Sequence, residues 1–316
     1  MFIQKHIRSI IIVIIITVSL YLSSVIYLGW DDSIKLIKNI SATAWLSLIA
    51  CSFSSYLLRF FRWNIYIKSL GFTIPSKLHF LYYLSGFALT VTPAKVGETI
   101  RSLYLYNHGV SYPKSISTFF VERLLDLTVV TMLASLLLMQ HTNHKIFILL
   151  LAIFILTLIV LLKTTYIQKI LQYGISNIKL HKIVKLLRNL SSLLSNASIL
   201  LKLPSLSIGL LLGMLAWSIQ AAAFYILLNE LGFNIQLHIA ISIYSIALLS
   251  GAISFIPGGI GSTEIVMGVF LYSFGAPKEV VILAPIIIRM TSLWFAVLIG
   301  LVATISLTKK ISITKN

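Results

Sequence analysis

The sequence predicts an all-α polytopic membrane protein with six full transmembrane helices and two broken, re-entrant helical hairpins that enter from opposite faces as an inverted repeat. Three observations carry that expectation. Of 316 residues, 58% are hydrophobic and 10% are charged, with a mean hydropathy of +0.99; a soluble domain is about a quarter charged. Most apolar residues fall into windows long enough to cross a bilayer, which needs roughly 20 of them. Two further apolar windows are interrupted by Pro and Gly near their middles, so a helix cannot run smoothly through either. A soluble globular protein is excluded, and no stretch is left free for a folded water-soluble domain.

In chain order, the first span is the run 9–29 behind Lys5 and Arg8. It is too long for a signal-peptide core and lacks an A-x-A cleavage site, so it is expected to be retained. The other ordinary spans are expected at 43–63, 117–139, 145–163, 205–228 and 281–307. The broken windows are 78–107, interrupted at Thr92-Pro93-Ala94-Lys95-Val96-Gly97, and 237–275, interrupted at Pro257-Gly258-Gly259-Ile260-Gly261. The expected organisation is one membrane domain over 1–316, with halves 43–163 and 205–307 joined by a basic amphipathic segment at 164–204.

Charge sets the expected sidedness. The 25 Lys and Arg against 8 Asp and Glu give +17, which in a soluble protein would suggest nucleic acid. Here the cations cluster between apolar windows and read as topology signals and contacts to anionic lipid. Lys163, Lys169, Lys179, Lys182, Lys185, Arg188 and Lys202 are accompanied by no acid between 163 and 202, which puts this segment in the cytoplasm. With Lys5 and Arg8 also inside, four spans return the chain to the cytoplasm only if 78–107 enters and leaves by one face. Lys309 and Lys310 demand the same of 237–275 from the outer face, leaving both termini in the cytoplasm of a plasma (inner) membrane protein. Ile178, Ile183, Leu186, Leu187, Leu190, Leu193 and Leu194 recur at helical spacing opposite the cations, as in a helix lying on the inner leaflet.

The two breaks resemble each other. Ser85-Gly86 leads to Pro93-x-x-Val96-Gly97 and Glu98, and Ser250-Gly251 leads to Pro257-x-x-Ile260-Gly261 and Glu264. Arg123 follows Gly97 by 26 residues and Arg289 follows Gly261 by 28. Paired broken segments in opposite orientation point to an inverted repeat with a substrate site between its halves. Pro93, Gly97, Pro257, Gly258, Gly259 and Gly261 are the expected hinges.

Four of the eight acids, Glu98, Glu122, Asp126 and Glu264, lie in or beside the broken segments and the span that follows. A charge at membrane depth costs about 2.5–3.5 kcal/mol even on the lenient scale, so these groups should face one another or a wet cavity. Glu98 and Arg101 are three apart, as are Arg123 and Asp126, while Glu122 is four from Asp126. Glu264 stands at a helix start, where the dipole favours a carboxylate or a bound anion. Arg59 and Arg62, at the inner end of the second span, are expected to snorkel to the interface.

Together, TPAKVGETIR at 92–101, ERLLD at 122–126, PGGIGSTE at 257–264 and Arg289 in the last span resemble the transmembrane domain of lysylphosphatidylglycerol synthases, a family with many flippase-like members. The similarity covers nearly the whole chain. Lys95 stands two before Gly97 where the family more often has Arg, which keeps a cation but gives up bidentate grip on a phosphate. In two-domain members a soluble domain makes the lipid and the membrane domain moves it; this chain ends nine residues after Leu307, so the expectation is a stand-alone member without the synthase domain. The resemblance implies lipid translocation or handling of lipid-linked precursors, with Lys95, Glu98, Arg101, Glu122, Arg123, Asp126, Glu264 and Arg289 as the substrate-binding positions.

No G-x-x-x-x-G-K-[ST] or H-E-x-x-H motif is present, and no cofactor or metal is expected. His141 and His144 read as polar loop residues, and Cys51 alone forms no intrachain disulfide. Gly258-Gly259-Ile260-Gly261 is no dinucleotide loop, because no βαβ pattern surrounds it. The leading expectation is a non-enzymatic transporter of an anionic phospholipid or polyprenyl-phosphate-linked lipid. The alternatives are an enzyme or subunit using Glu98, Glu122 or Asp126 as a general base, and a non-catalytic partner of a cell-envelope glycosyltransferase or lipid-modifying enzyme.

Overall fold

Glycine and proline punctuate a chain that is otherwise helical. The computed structural model describes residues 2–139, 166–177 and 180–313, together with 146, 149, 150, 152–155, 157 and 160. Its helices are α1 (Phe2–Leu28), α2 (Trp30–Asn39), α3 (Ala42–Ser69), α4 (Ser76–Gly86), α5 (Arg101–Tyr106), α6 (Tyr112–Ala134), α7 (Tyr166–Asn177), α8 (His181–Leu200), α9 (Leu203–Glu230), α10 (Leu237–Ile253), α11 (Ser262–Ser273), α12 (Lys278–Arg289) and α13 (Phe295–Ile313). Among the described residues there is no strand.

Among the described residues, three helical runs are long and apolar enough to cross a membrane: α3, α9, and the continuous run Lys278–Thr308 through α12 and α13. A fourth is formed if α1 and α2 count as one span bent by 102° around Gly29. The expected span at 117–139 falls in α6 and the 3-10 turn Ser135–Met139. It is long enough, but Glu122, Arg123 and Asp126 make it the charged wall of the bundle rather than a purely apolar crossing. The expected span at 145–163 lies largely outside the described residues, as do His141, His144, Lys163, Ile178 and Lys179.

The bundle is organised around the α3–α9 pair. Ser41 caps α3 by accepting the Ala44 N–H at 3.1 Å, and its own N–H donates to Glu230 Oε2 at 3.1 Å, which ties the start of α3 to the end of α9. Small residues let the two helices approach. A Cβ on Gly213 would lie 2.8 Å from Arg62 Nη1, and one on Gly209 would collide with the Tyr66 hydroxyl. Gln220 Nε2 donates to Ser52 Oγ across the same seam at 3.1 Å. Leu48, Phe224, Ile243, Met267, Leu283 and Ile288 make the main apolar core where α3, α9, α10, α11 and α12 converge.

Both interrupted windows form hairpins whose legs lie side by side. In the first, Tyr82 on α4 stacks on Tyr104 of α5, with centroids 5.0 Å apart and planes 6° from parallel, and its hydroxyl pairs with His108 Nε2 at 3.1 Å. In the second, Ser250 Oγ on α10 donates to the Ser262 carbonyl at 3.3 Å, and a Cβ on Gly259 would lie 3.0 Å from Gly251 Cα. The two breaks touch each other at the centre of the bundle.

The basic segment is helical as expected, but only part of its apolar face is open. Ala197, Leu200 and Leu201 are fully buried against Tyr66, Val121 and Leu125. Farther toward the start of α8, Leu186 and Leu190 are 67% and 42% exposed, beside exposed Lys182, Lys185 and Arg188.

Candidate functional site

The first hairpin tip is built by Thr92. Its hydroxyl donates to the Leu89 carbonyl at 2.8 Å and accepts the Gly97 N–H at 2.7 Å, while its carbonyl accepts the Lys95 N–H at 2.9 Å. That knot holds Ala94 and Lys95 at φ of 50° and 56°, a region L-residues avoid at a cost of order 1–3 kcal/mol. Gly97 is required by close approach: a Cβ there would lie 2.6 Å from Leu89 Cβ. Pro93 leads into the kink at Ala94 and Lys95, and a short helical turn resumes beyond Lys95 and ends at Ile100. The second tip repeats the device with Phe255 at φ 53° and with Gly258, Gly259 and Gly261 all at positive φ behind Pro257.

A cavity of about 260 Å³ lies between the tips, lined by Thr92, Ala94 and Lys95 from one and by Ile256, Gly258 and Gly259 from the other. Arg123, Asp126, Trp217 and Arg289 supply its polar wall, and Leu127, Val130, Leu248 and Leu249 its apolar one. A smaller chamber of about 50 Å³ shares Lys95, Trp217, Leu248 and Arg289 with it and extends to Arg59, Glu98 and Tyr244.

Seven of the eight expected site residues enter ion pairs here, and the eighth, Lys95, faces the cavities. Arg101 is fully buried, pairs with Glu98 at 2.6 Å and Glu122 at 3.4 Å, and lies under the rings of Trp63 and Tyr83 at 4.3 and 4.6 Å. Thr90 Oγ1 donates to the other oxygen of Glu98 at 2.7 Å. Arg123 spans Asp126 at 3.2 Å and Glu98 at 3.9 Å. The local pairings read from spacing are therefore present, but they are pieces of one network.

Arg59 and Arg62 do not snorkel. Arg62 is fully buried and donates to Asp126 Oδ1 at 2.6 Å, with Glu122 at 3.8 Å. Two carboxylates inside the bundle outweigh the interface because an unpaired acid there would be far costlier than an immobilised arginine. Arg59, 7% exposed, sits against the rings of Tyr56, Phe87 and Trp217 at 5.3, 5.9 and 5.0 Å. No local signal in the sequence points to this: residues 95–126 carry four cations, Lys95, Arg101, Lys114 and Arg123, against three acids, Glu98, Glu122 and Asp126.

Glu264 and Arg289 form the second, separate pair, at 3.0 Å. Glu264 also accepts the Gly261 N–H and the Tyr21 hydroxyl, each at 2.8 Å, and Arg289 Nη2 donates to the Gly258 carbonyl. Arg289 is thus clamped to the second tip just before the π-helical turn Met290–Trp294, a local widening frequent at functional sites. Nothing in the sequence neighbourhoods of Trp217 and Tyr21 distinguishes them as site residues; Trp217 Nε1 donates to Asp126 Oδ1 at 3.0 Å.

Across the cluster, Arg59, Arg62, Lys95, Arg101, Arg123 and Arg289 face Glu98, Glu122, Asp126 and Glu264, a formal charge of +2. Apolar helices around a buried, cation-rich cavity define a multi-pass helical membrane protein. The chain belongs to the lysylphosphatidylglycerol synthase transmembrane-region family, whose pattern matches residues 9–300. It is similar to a UPF0104 membrane protein of Methanocaldococcus jannaschii, 24% identical over 331 aligned positions that cover 96% of this chain and 97% of the relative. A UPF0104 membrane protein of Pyrococcus horikoshii is also 24% identical, over 92% of this chain and 94% of its own length. A phosphatidylglycerol lysyltransferase of Staphylococcus haemolyticus is 37% identical over 86 residues, 27% of this chain and 10% of the lysyltransferase.

Proposed function

We propose that this chain moves an anionic lipid, a phospholipid or a polyprenyl-phosphate-linked lipid, between the leaflets of a plasma membrane. The observation that carries the reading is the meeting of two hairpin tips at one cavity faced by Lys95, Arg123 and Arg289. Irregular backbone at bilayer depth is tolerated only where it is buried in protein or lines a cavity, and opposed broken helices around a central site are how many transporters alternate access. The relationship to a phosphatidylglycerol lysyltransferase, whose name states an anionic phospholipid, supports the substrate class. In this reading six spans and two re-entrant hairpins form an inverted repeat in one membrane domain, both termini are cytoplasmic, and the exposed apolar and basic residues of α8 rest on the inner leaflet.

Lys95, Arg123 and Arg289 attract the headgroup, while Glu98, Glu122, Asp126 and Glu264 hold the cations in place. The strained tips serve as hinges. The role is non-enzymatic and needs no cofactor. The test is reconstitution: purified protein in liposomes without nucleotide or soluble partner should move a fluorescent anionic phospholipid or polyprenyl phosphate between leaflets. Absence of movement with and without an imposed pH gradient, in a chain that co-purifies tightly with a glycosyltransferase or lipid-modifying enzyme, would favour the partner reading instead.

A further inference from the structure

Two cations of the cluster have no carboxylate within 4 Å, and the acid that lines their chamber, Glu98, is already paired with Arg101 and Arg123. Arg59 and Lys95 belong to none of the ion pairs among the described residues. Both line the smaller chamber and approach the same Trp217 ring, Arg59 Cζ at 5.0 Å and Lys95 Nζ at 6.0 Å from its centroid. The Arg59 Nε–H reaches only the Ser55 carbonyl, at 3.4 Å, so its two terminal nitrogens have no hydrogen-bond acceptor fixed by the fold. Aromatic faces offset part of the lost hydration of a guanidinium, but they carry no net charge. An uncompensated charge inside a membrane protein is costly and marks a binding site by default.

We infer that Arg59 and Lys95 form the recognition site for a doubly charged phosphate, the terminal phosphomonoester or diphosphate of a lipid, rather than for a phosphodiester. The inference rests on the anionic-lipid reading above and narrows it, selecting a lipid with a phosphomonoester or diphosphate over phosphodiester phospholipids such as phosphatidylglycerol. A phosphodiester headgroup carries one negative charge and would leave one of the two cations uncompensated. A phosphomonoester dianion or a diphosphate balances both. Arg59 offers a planar fork of donors from α3 and Lys95 a point charge from the first hairpin tip, so one phosphate bridges α3 and the first break. The adjoining larger cavity, with Leu127, Val130, Leu248 and Leu249 on its apolar wall, accommodates the start of the lipid chain.

The test compares farnesyl phosphate with its monomethyl ester, which has the same chain but one charge fewer, by titration calorimetry on detergent-solubilised protein at pH 7, where a phosphomonoester is mostly dianionic, and fixed ionic strength. Wild type should bind farnesyl phosphate at least about ten-fold more tightly. Lys95→Asn, which suits the positive φ at that position, and Arg59→Gln should each bring the two ligands within about three-fold by weakening farnesyl phosphate alone. If Arg59→Gln does not fold, Lys95→Asn decides. Equal affinities in wild type, or variants that weaken both ligands alike, would overturn the dianion site and leave an anionic-lipid transporter standing. Inorganic phosphate binding as tightly as farnesyl phosphate would overturn the lipid assignment, and binding of neither compound would overturn both readings.

Discussion

Arg62 on α3 and Asp126 on α6 are 64 residues apart in sequence and 2.6 Å apart in space, and the arginine has no exposed surface. Arg62 also faces Glu122, which Arg101 reaches from the first hairpin. The pair therefore joins the second expected span to the charged helix and, through Glu122, to the broken segment.

Arg62→Gln leaves Asp126 and Glu122 short of a cation in a buried site, and removing one partner of a buried pair costs about 3–5 kcal/mol. Thermal unfolding in detergent should show a loss of that size, against a much smaller one for Lys95→Asn, which breaks no ion pair. A loss below about 1 kcal/mol for Arg62→Gln would mean the arginine is free at the interface after all.

Two glycines rank by what an added methyl would strike. At Gly213 the nearest atom is the end of the Arg62 side chain, at 2.8 Å, which can shift; at Gly300 it is the Ala88 backbone nitrogen, closer still. Gly213→Ala should cost about 1–3 kcal/mol, and Gly300→Ala should cost more, because α13 must separate from the first hairpin. Melting temperatures of the two variants check the order, and Gly213→Ala as the more damaging change would contradict the packing.

Glu264→Gln should slow lipid movement in liposomes while the protein stays folded. The carboxylate accepts from Tyr21, Gly261 and Arg289; an amide must turn its NH2 toward one of those donors and carries no charge for Arg289, which loosens the hold of Arg289 on the second tip to its bond with the Gly258 carbonyl. Tyr21→Phe removes one neutral donor, and its stability loss should stay near 0.5–1.5 kcal/mol. Equal transport by wild type and Glu264→Gln would reduce the Glu264–Arg289 pair to a structural staple.

For sidedness, replace Cys51 and place single cysteines at Ser176 and Asn234, both exposed, and at Ser312. Membrane-impermeant labelling should reach 176 and 312 only from the cytoplasm and 234 only from outside. Cytoplasmic labelling of 234 would rule out opposed hairpins.

The breaks were legible in the sequence because Pro93 and Pro257 and their neighbouring glycines are local signals, and hydropathy gave the helices around them. The pairings Glu98–Arg101 and Arg123–Asp126 were legible because i,i+3 spacing is itself geometry. The burial of Arg59 and Arg62 is not legible in the sequence for the complementary reason. At the end of an apolar window the interface is the nearest place for an arginine to go, but the carboxylates that hold Arg62 lie on a helix that begins 50 residues later, and two of the three rings against Arg59 belong to other segments, Phe87 and Trp217.

By itself the sequence determined an apolar, all-helical chain, the positions of its two interruptions and the excess of cation over acid. These follow from composition and from Pro and Gly, which act within a few residues of where they stand. Only the tertiary structure decided that the two tips meet, that Arg62 completes a network begun on α5 and α6, and that Arg59 and Lys95 face one chamber across Trp217. Those outcomes depend on which helices pack through Gly209 and Gly213 and on how buried charges find each other in a low dielectric, where position rather than sequence distance sets the energy.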